Sequence, residues 1–163
     1  MSEWFKKSSK KKGKFFSKRN TKLAELGNSV GGPQIKKTTI KGLEGYGLFA
    51  ERNYKKGEII TIYGGKLHYK MIQGDYVFRL CEKTPLYVDG EYDFHPTEKG
   101  RWLNHGTENK KDVLGGALDH SKPSANTEFD LSKKNGVPIC YIRALRNIFK
   151  GEEFFVDYGP LYW

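Results

Sequence analysis

The sequence is short of cysteine, of long apolar runs and of helical periodicity, and each shortage excludes a class of protein. Its 163 residues contain two cysteines, Cys81 and Cys140, which excludes a disulfide-rich scaffold or a zinc cluster built on several cysteines. No apolar run reaches the roughly eighteen residues that a membrane span needs, and the N-terminus lacks the apolar core of a secretory signal. We expect a soluble intracellular protein without a metal site or membrane contact.

Acidic residues are scarce near the N-terminus, where basic residues concentrate. The formal net charge is +10 at pH 7, and residues 1–22 hold nine Lys or Arg against the single acid Glu3. That segment therefore accounts for +8 of the charge, which leaves +2 for the rest. A basic, serine-containing stretch that ends at Gly31-Gly32-Pro33 predicts a flexible tail over residues 1–33 and one domain over residues 34–163.

The lysine-rich cluster at residues 6–14 has three interpretations. It is typical of a solvated tail, of a nuclear-import signal, and of a segment that contacts nucleic-acid phosphates. Composition does not separate them. Nuclear localisation, with the cytoplasm as the alternative, and contact between the tail and nucleic acid therefore both stay open.

Helical periodicity is nearly absent beyond the tail, and residues 65–72 are the one short helical candidate. β-branched and aromatic runs separated by glycine predict strands instead, at 35–40, 46–50, 58–63, 76–80, 86–88, 127–131, 137–145 and 152–158. The run at 137–145 is apolar on both faces, which predicts a central strand. The polar, glycine-rich segment between His105 and Asn126 is long for a compact domain and predicts a functional or mobile insertion.

The last predicted strand ends at Tyr158, directly before a Gly-Pro pair. Alternation along a strand places Phe154, Val156 and Tyr158 on one face and Phe155 on the other. The phenol is thus presented beside apolar neighbours. A strand of this kind is more often core than catalyst, and by itself it identifies no function.

Two further motifs place glycine or polar residues beside predicted strands. Gly45-Tyr46-Gly47 precedes a strand and would let the backbone approach a ligand closely, because glycine has no Cβ atom. Asn104-His105 follows an apolar pair and is typical either of a turn that satisfies its own backbone or of a ligand site. Neither motif is decisive alone.

The order of the motifs is more specific than any one of them. The chain runs through Gly-Tyr-Gly, Leu-Phe-Ala, Lys-Gly-Glu-Ile-Ile, Tyr63-Gly64-Gly65, Tyr76-Val77-Phe78, Tyr87-Val88-Asp89, Arg101-Trp102-Leu103-Asn104-His105, Asn126-Thr127-Glu128-Phe129 and Gly-Glu-Glu-Phe-Phe-Val-Asp-Tyr-Gly. This array resembles the SET-domain protein lysine methyltransferases, in their small stand-alone form without cysteine-rich flanking zinc segments. The resemblance covers about residues 35–163.

The resemblance implies a mainly β fold. Such a fold has several small twisted sheets, few short helices, and a C-terminal segment that passes under a loop in a pseudoknot-like threading. The threading would bring Asn104-His105 and Asp157-Tyr158 together. The resemblance also implies S-adenosylmethionine on one face, the lysine of a protein or peptide substrate on the other, and a narrow channel between them.

The resemblance assigns roles to the residues that match its motifs. Tyr158 corresponds to the catalytic tyrosine. Cofactor binding falls to Gly45, Tyr46, Gly47, Tyr76, Asn104, His105, Tyr162 and Trp163, of which the last two would cover the adenine. Contact with the substrate lysine falls to Tyr63, Phe129 and Val156.

The chemistry of methyl transfer explains these residue types. An amine attacks a carbon bonded to a sulfonium in line, so alignment and partial desolvation supply most of the acceleration. The attacking lysine must be neutral although its reference pKa is about 10.4, and an apolar channel disfavours the ammonium form. Aromatic faces attract sulfonium and methylammonium groups by ~0.5–2 kcal/mol each. The Tyr158 phenol can orient the amine without ionising.

Departures from the family pattern also bear on function. Gly106 opens a long segment after Asn104-His105, and Asp119-His120 within that segment is a second, partial match to the cofactor pair. We favour the first pair because the residues before it also match. Val156 lies two residues before Tyr158, where relatives often carry Phe or Tyr, and its smaller side chain predicts that di- or trimethylation is permitted.

Three functions are compatible with the sequence. We favour an active protein-lysine methyltransferase, with a histone as the first substrate candidate. A catalytically silent SET fold used as an interaction module is the second, because of Gly106 and the insertion after it. A basic nucleic-acid-binding β domain is the third, and the nearly neutral charge beyond residue 22 counts against it.

Overall fold

The computed structural model describes residues 16–74, 76–81, 83–91, 95–106 and 123–158. Within these residues one α-helix, α1, spans Lys18–Ser29, and a 3-10 turn spans Gly100–Trp102. The strands are β1 (Gln34–Lys37), β2 (Tyr46–Phe49), β3 (Ile59–Ile62), β4 (Lys66–His68), β5 (Val77–Cys81), β6 (Leu86–Asp89), β7 (Asn104–His105), β8 (Thr127–Lys134), β9 (Val137–Ala144) and β10 (Glu153–Val156). The fold is mainly β, as predicted.

The described strands form two sheets. The larger has the order β1-β2-β10-β8-β9-β3, and β7 pairs with β10 beside this path. The smaller has the order β4-β6-β5. Strand β9 lies between two neighbours, as its two apolar faces predicted.

Strand β10 is the junction of the larger sheet. It pairs antiparallel with β2 through Glu153 and Phe154, and parallel with β7 through Phe155 and Val156. Val156 also pairs with Thr127 of β8. All four residues of β10 are buried, which explains the apolar run Phe154-Phe155-Val156 after Glu153. The strand thereby brings the C-terminal part of the chain beside β2, β7 and β8.

The side chain of Asn126 forms hydrogen bonds with the backbone of β10. Its Oδ1 accepts a hydrogen bond from the Phe155 amide at 2.8 Å, and its Nδ2 donates to the Glu153 carbonyl at 2.9 Å. Thr127 Oγ1 donates to the Phe155 carbonyl at 2.8 Å. Since Asn126 and Thr127 are buried, these bonds satisfy backbone groups that water does not reach. They hold β10 in place two residues before Tyr158.

The main core cluster joins the larger sheet, the 3-10 turn and α1. Its buried members are Ala24, Ile35, Leu48, Ala50, Tyr54, Ile60, Trp102, Leu103, Ile142, Ala144, Ile148, Phe154 and Val156. Partly buried side chains pack against it, among them Tyr46, Tyr63, Phe129 and Tyr158. Four aromatic rings predicted for the site are therefore held by the core.

A tight hairpin connects β8 and β9. Its two turn residues, Asn135 and Gly136, have φ values of 52° and 78°. Two successive left-handed residues are what a two-residue type I′ turn requires, and asparagine and glycine tolerate that conformation best. The turn thus sets the register that pairs Phe129 with Ile142.

Helix α1 lies within the segment that we expected to be a flexible tail, and the structure differs from that expectation at residues 18–29. Ser17 caps the helix, because its side chain accepts a hydrogen bond from the Asn20 amide at 3.0 Å. Ala24 and Gly27 are buried. The sequence did not predict this helix, because its buried residues are small and its basic residues are exposed. The domain boundary at residue 34 stays a prediction.

Within the described ranges no helix has both the length and the apolar character to cross a membrane.

The short helix predicted at residues 65–72 is wrong. Strand β4 occupies Lys66–His68 and pairs antiparallel with β6, with Lys66 opposite Asp89. A Cβ atom on Gly65 would lie 2.1 Å from the Asp89 carbonyl oxygen, so glycine is required where the strand begins. Pairing with β6 overrides a weak local helical pattern.

Candidate active site

Strands β7 and β10 bring the two polar motifs together. Parallel pairing sets Val156 opposite His105. Asp157 and Tyr158 therefore leave β10 beside the Asn104-His105 motif. The two motifs meet, as the resemblance implied.

The His105 ring anchors the residues that follow β10. Its Nδ1 accepts a hydrogen bond from the Tyr158 amide at 3.2 Å, and Asp157 Oδ1 lies 3.9 Å from the same nitrogen. A nitrogen that accepts a backbone N–H carries no proton, which assigns the proton of the neutral ring to Nε2. With Nδ1 as an acceptor, the approach of the Asp157 carboxylate to it is neither a hydrogen bond nor an ion pair.

The Tyr158 side chain is held at both ends. Its hydroxyl donates a hydrogen bond to the Leu103 carbonyl. Its ring centroid lies 5.4 Å from that of His105 and 6.5 Å from that of Phe129, which is stacked on it at an interplanar angle of 21°. Because the hydroxyl hydrogen is committed to Leu103, the phenol oxygen is suited to accept a hydrogen bond from an incoming N–H.

Tyr158 belongs to an aromatic cluster of four rings, together with Tyr63, Phe78 and Phe129. Centroids of Phe78 and Phe129 are 4.4 Å apart, and Tyr63 lies 5.8 Å from Phe78 and 6.2 Å from Phe129. Tyr63 and Phe129, both predicted to contact the substrate lysine, thus lie in one cluster, and their role stays a prediction. Phe78 was given no role, and its position two residues after Tyr76, on the same strand face, is the signal that could have found it.

The glycine motif and Asn104 form one unit. The Asn104 Nδ2 donates to the Tyr46 carbonyl at 3.0 Å and to Glu153 Oε1 at 3.1 Å. The asparagine is only 6% exposed. These two acceptors fix which end of the carboxamide carries the nitrogen. Tyr46 and Asn104, predicted to bind one cofactor, are therefore linked directly.

Glu153 is a buried carboxylate that sequence reasoning missed. Besides Asn104, it accepts hydrogen bonds from Thr38 Oγ1 at 2.7 Å and from the amide and hydroxyl of Thr39 at 2.8 and 2.6 Å. Hydrogen bonds to a carboxylate offset the cost of burying it. A Cβ atom on Gly47 would lie 2.0 Å from Oε1. The approach of this carboxylate therefore requires glycine at position 47.

Tyr76 lies against Arg101. The guanidinium carbon is 4.3 Å from the Tyr76 ring centroid and 4.7 Å from that of Trp102, which in turn lies 5.5 Å from the Tyr46 ring. Burial raises the pKa of Tyr76, and the charge of Arg101 together with hydrogen bonds involving Arg101 and Asn20 partly offsets the rise. The phenol is therefore neutral at physiological pH. The two predicted cofactor tyrosines are connected through Arg101 and Trp102.

Close packing explains the glycine at position 106, which departs from the family pattern. A Cβ atom there would lie 2.7 Å from the Phe155 Cβ and 2.8 Å from the Ala125 amide nitrogen. Glycine is needed so that these segments can approach. The departure is thus explained by packing and does not by itself indicate lost function.

Val156 is 1% exposed and belongs to the core cluster on which Tyr63, Phe129 and Tyr158 pack. A larger side chain at this position has to find its volume among well-packed neighbours. Its surroundings are compatible with the predicted influence on the space beside Tyr158.

The structure does not describe all of the residues that were predicted for the site. Tyr162, Trp163 and the alternative pair Asp119-His120 lie outside the described residues. In the part of the chain that is described, no group of three or more His, Cys, Asp or Glu side chains is placed to hold a metal ion.

A sequence model of the SET domain matches residues 45–159. The chain belongs to the SET-domain family. The matched range contains every described residue that was predicted to act in the site, whereas α1 and β1 precede it. The sequence matched no curated protein.

Solved structures share the fold of this SET domain. A humanized mutant of the Chaetomium thermophilum Polycomb Repressive Complex 2 bound to the inhibitor GSK126 aligns with a TM-score of 0.56 and 24% identity, over 77% of this chain and 14% of that one. A structure of ctPRC2 in an autoinhibited conformation bound to S-adenosylmethionine aligns with a TM-score of 0.58 and 23% identity, over 78% of this chain and 15% of that one. This SET domain therefore spans a small part of the chains that it resembles.

The residues of the SET domain fit S-adenosylmethionine, the methyl donor of its family. The Tyr46-Gly47 turn and the Asn104 carboxamide would hold the polar amino-acid end. The faces of Tyr63, Phe129 and Tyr158 suit a sulfonium, because aromatic rings attract cations. Gly47 supplies a backbone without a side chain beside Asn104.

Proposed function

We propose that this SET domain transfers a methyl group from S-adenosylmethionine to a lysine side chain of a protein. The observation that carries the proposal is the placement of Tyr158, with its amide on His105, its hydroxyl on the Leu103 carbonyl and its ring beside Phe129. Residues from the cofactor motif and from the aromatic cluster thus meet at one phenol.

Tyr158 acts as the positioning acceptor for the substrate amine. Its hydroxyl hydrogen is directed to Leu103, so its oxygen accepts a hydrogen bond from the amine N–H and aims the nitrogen lone pair. S-adenosylmethionine, when bound, supplies an electrophilic methyl group. Fixed placement of Tyr158 at its amide and its hydroxyl keeps this orientation without further rearrangement.

The aromatic cluster favours the neutral amine. Phe129 packs on the Tyr158 ring, and Tyr63 and Phe78 pack on Phe129. Beside this apolar surface a desolvated lysine ammonium loses its proton more readily than one in water. The same ring faces attract a methylated ammonium product. The cluster therefore assists both reaction and repeated methylation of one lysine.

We infer that di- and trimethylation are permitted. The inference is supported by Val156, whose side chain is smaller than the Phe or Tyr often found there in the family. Each added methyl group needs space beside the phenol, and valine leaves more of it than an aromatic ring would.

We propose a histone as the first substrate candidate and the nucleus as the location, with the cytoplasm as the alternative. Support comes from the charge of +8 over residues 1–22, which suits an acidic partner such as chromatin. Contact of this tail with nucleic acid belongs to the same proposal.

The test is transfer of labelled methyl from S-adenosylmethionine to a panel of histones and to a cell extract, with the modified lysine located by mass spectrometry. We expect labelled protein lysine, carrying more than one methyl group when cofactor is in excess. A folded chain that binds no cofactor by calorimetry would instead indicate a silent interaction module. Salt-sensitive nucleic-acid binding that survives replacement of the lysines at residues 6–14 by glutamine would indicate a nucleic-acid-binding β domain.

A further inference from the structure

Helix α1 lies ahead of the residues matched by the SET-domain sequence model, yet it contacts a predicted cofactor residue. Thr21 Oγ1 lies 2.8 Å from the hydroxyl oxygen of Tyr46. Phe16, two residues before the helix, packs edge-on against the same ring with centroids 4.8 Å apart. Tyr46 is therefore held by a hydroxyl and by a ring from a segment outside the family match.

A second contact runs from α1 to Tyr76 through Arg101. Arg101 Nη2 donates to Asn20 Oδ1 at 3.1 Å, while its guanidinium lies over the Tyr76 ring. Asn20 thus reaches the Tyr76 ring through the guanidinium that lies over it. Arg101 is 2% exposed, and a buried guanidinium needs acceptors to offset its lost hydration. Asn20 supplies one of them from the helix.

The C-terminal end of α1 is fastened to the domain as well. Lys99 Nζ donates to the carbonyls of Gly31 and Pro33, each at 2.6 Å. The Asn28 side chain donates to the Ile35 carbonyl at 2.8 Å and accepts from the Ile35 amide at 2.7 Å. Lys99 lies two residues before Arg101, so the helix and the segment directly after it contact the same part of the domain.

We propose that α1 is part of the cofactor site, with Asn20 and Thr21 as positioning residues that hold Tyr76 and Tyr46 for S-adenosylmethionine. This inference rests on the proposed function, which assigns both tyrosines to the cofactor. Side chains that are already held in the binding conformation lose less freedom when a ligand arrives, which raises affinity. The Thr21 hydroxyl acts on Tyr46 directly, and Asn20 acts on Tyr76 through Arg101.

The test measures binding of S-adenosylmethionine to the full chain by calorimetry, together with KM for the cofactor and for the substrate. Thr21→Val should weaken cofactor binding about fivefold and Asn20→Ala about tenfold, each the loss of one or two hydrogen bonds. Thr21→Ser should bind as the parent does, because it keeps the hydroxyl. Glu25→Ala, on the exposed face of α1, is the matched control and should also bind as the parent does.

Two readouts separate positioning from plain stability. KM for the cofactor should rise while KM for the substrate stays constant, at a temperature well below the unfolding midpoint of each variant. In a Tyr46→Phe background, Thr21→Val should have no further effect on cofactor affinity. A folded Thr21→Val or Asn20→Ala chain that binds the cofactor as tightly as the parent overturns the inference.

The outcome for the parent chain separates this inference from the proposed function. A parent that binds S-adenosylmethionine but transfers no methyl group contradicts the proposed function, and the effects of Thr21→Val and Asn20→Ala on binding still decide the inference. A parent that binds no S-adenosylmethionine overturns both.

Discussion

Gly47 and Glu153 are packed so closely that a Cβ atom on the glycine would lie 2.0 Å from the carboxylate Oε1. The same Oε1 accepts hydrogen bonds from Asn104 and Thr38. The glycine motif, the buried carboxylate and the asparagine of the cofactor pair therefore form one close-packed unit. This unit connects β2, β7 and β10, and it gives Gly47 a structural role in addition to the cofactor role that the resemblance implies.

Gly47→Ala should destabilise the domain by about 1–3 kcal/mol, the usual cost of adding volume to a packed interior. It should also weaken cofactor binding, because Asn104 lies 3.2 Å from the added atom and has to shift. Urea unfolding and calorimetry measure the two effects. In a Glu153→Ala background the closest contact is gone, so the same substitution should cost less. Equal costs in both backgrounds would show that the two residues are not coupled.

Glu153→Gln preserves shape but places an amide NH2 among hydrogen-bond donors. One donor from Thr38, Thr39 or Asn104 then loses its acceptor, and an unsatisfied buried donor costs about 1–3 kcal/mol. The free energy of unfolding in urea should fall by that amount. Glu44→Gln, at an exposed position, is the control and should be close to neutral. A Glu153→Gln chain as stable as the parent would mean that the carboxylate is not needed there.

The local pattern of β10 and the glycine motif could be predicted, because aromatic and β-branched runs bounded by glycine report strands directly. The order of motifs then placed Tyr158 beside Asn104-His105, and the pairing of β7 with β10 confirms that meeting. Threonine and glutamate far apart in sequence gave no such signal, so the network around Glu153 was missed. Its cause is three-dimensional packing between residues separated by more than one hundred positions.

Other errors arose where tertiary contacts override local preference. Residues 65–72 form strand β4 because β6 supplies the backbone partners. Helix α1 contributes only Leu23 and Ala24 to the core cluster, and polar contacts to Tyr46 and Arg101 also hold it. Polar contacts leave no hydrophobic periodicity in the sequence, so the sequence predicted a tail where the structure has a basic helix.

Val156→Phe should restrict the product to monomethyl-lysine. The added ring takes volume from the core cluster beside Tyr63, Phe129 and Tyr158, and a dimethylated amine then no longer fits. Mass spectrometry of the product with excess cofactor measures the number of methyl groups. Ile148→Phe, in the same core cluster, should be destabilised in a similar way but keep the product distribution of the parent. Trimethyl-lysine from Val156→Phe at the rate of the parent would contradict this role.

Cys81 and Cys140 should differ in reactivity towards iodoacetamide. Burial raises the pKa of the Cys140 thiol to about 12, whereas a hydrogen bond with the Thr84 side chain lowers the pKa of Cys81. Because the thiolate is the reactive form, native protein at pH 8 should be labelled at Cys81, and Cys140 only after unfolding. A lower pH slows labelling of Cys81 as its thiolate is protonated. Peptide mapping by mass spectrometry measures both sites, and equal labelling of the native chain would refute the difference.

The most direct test of the central assignment is the single-turnover rate of methyl transfer from S-adenosylmethionine by Tyr158→Phe, measured beside the parent. Phenylalanine keeps the ring next to His105 and Phe129 but removes the oxygen that is held by Leu103. We expect the rate to fall by about 10²-fold or more, the contribution of a well-placed orienting group, while cofactor affinity by calorimetry changes little. A Tyr158→Phe chain that transfers methyl groups as fast as the parent would contradict the role of this phenol.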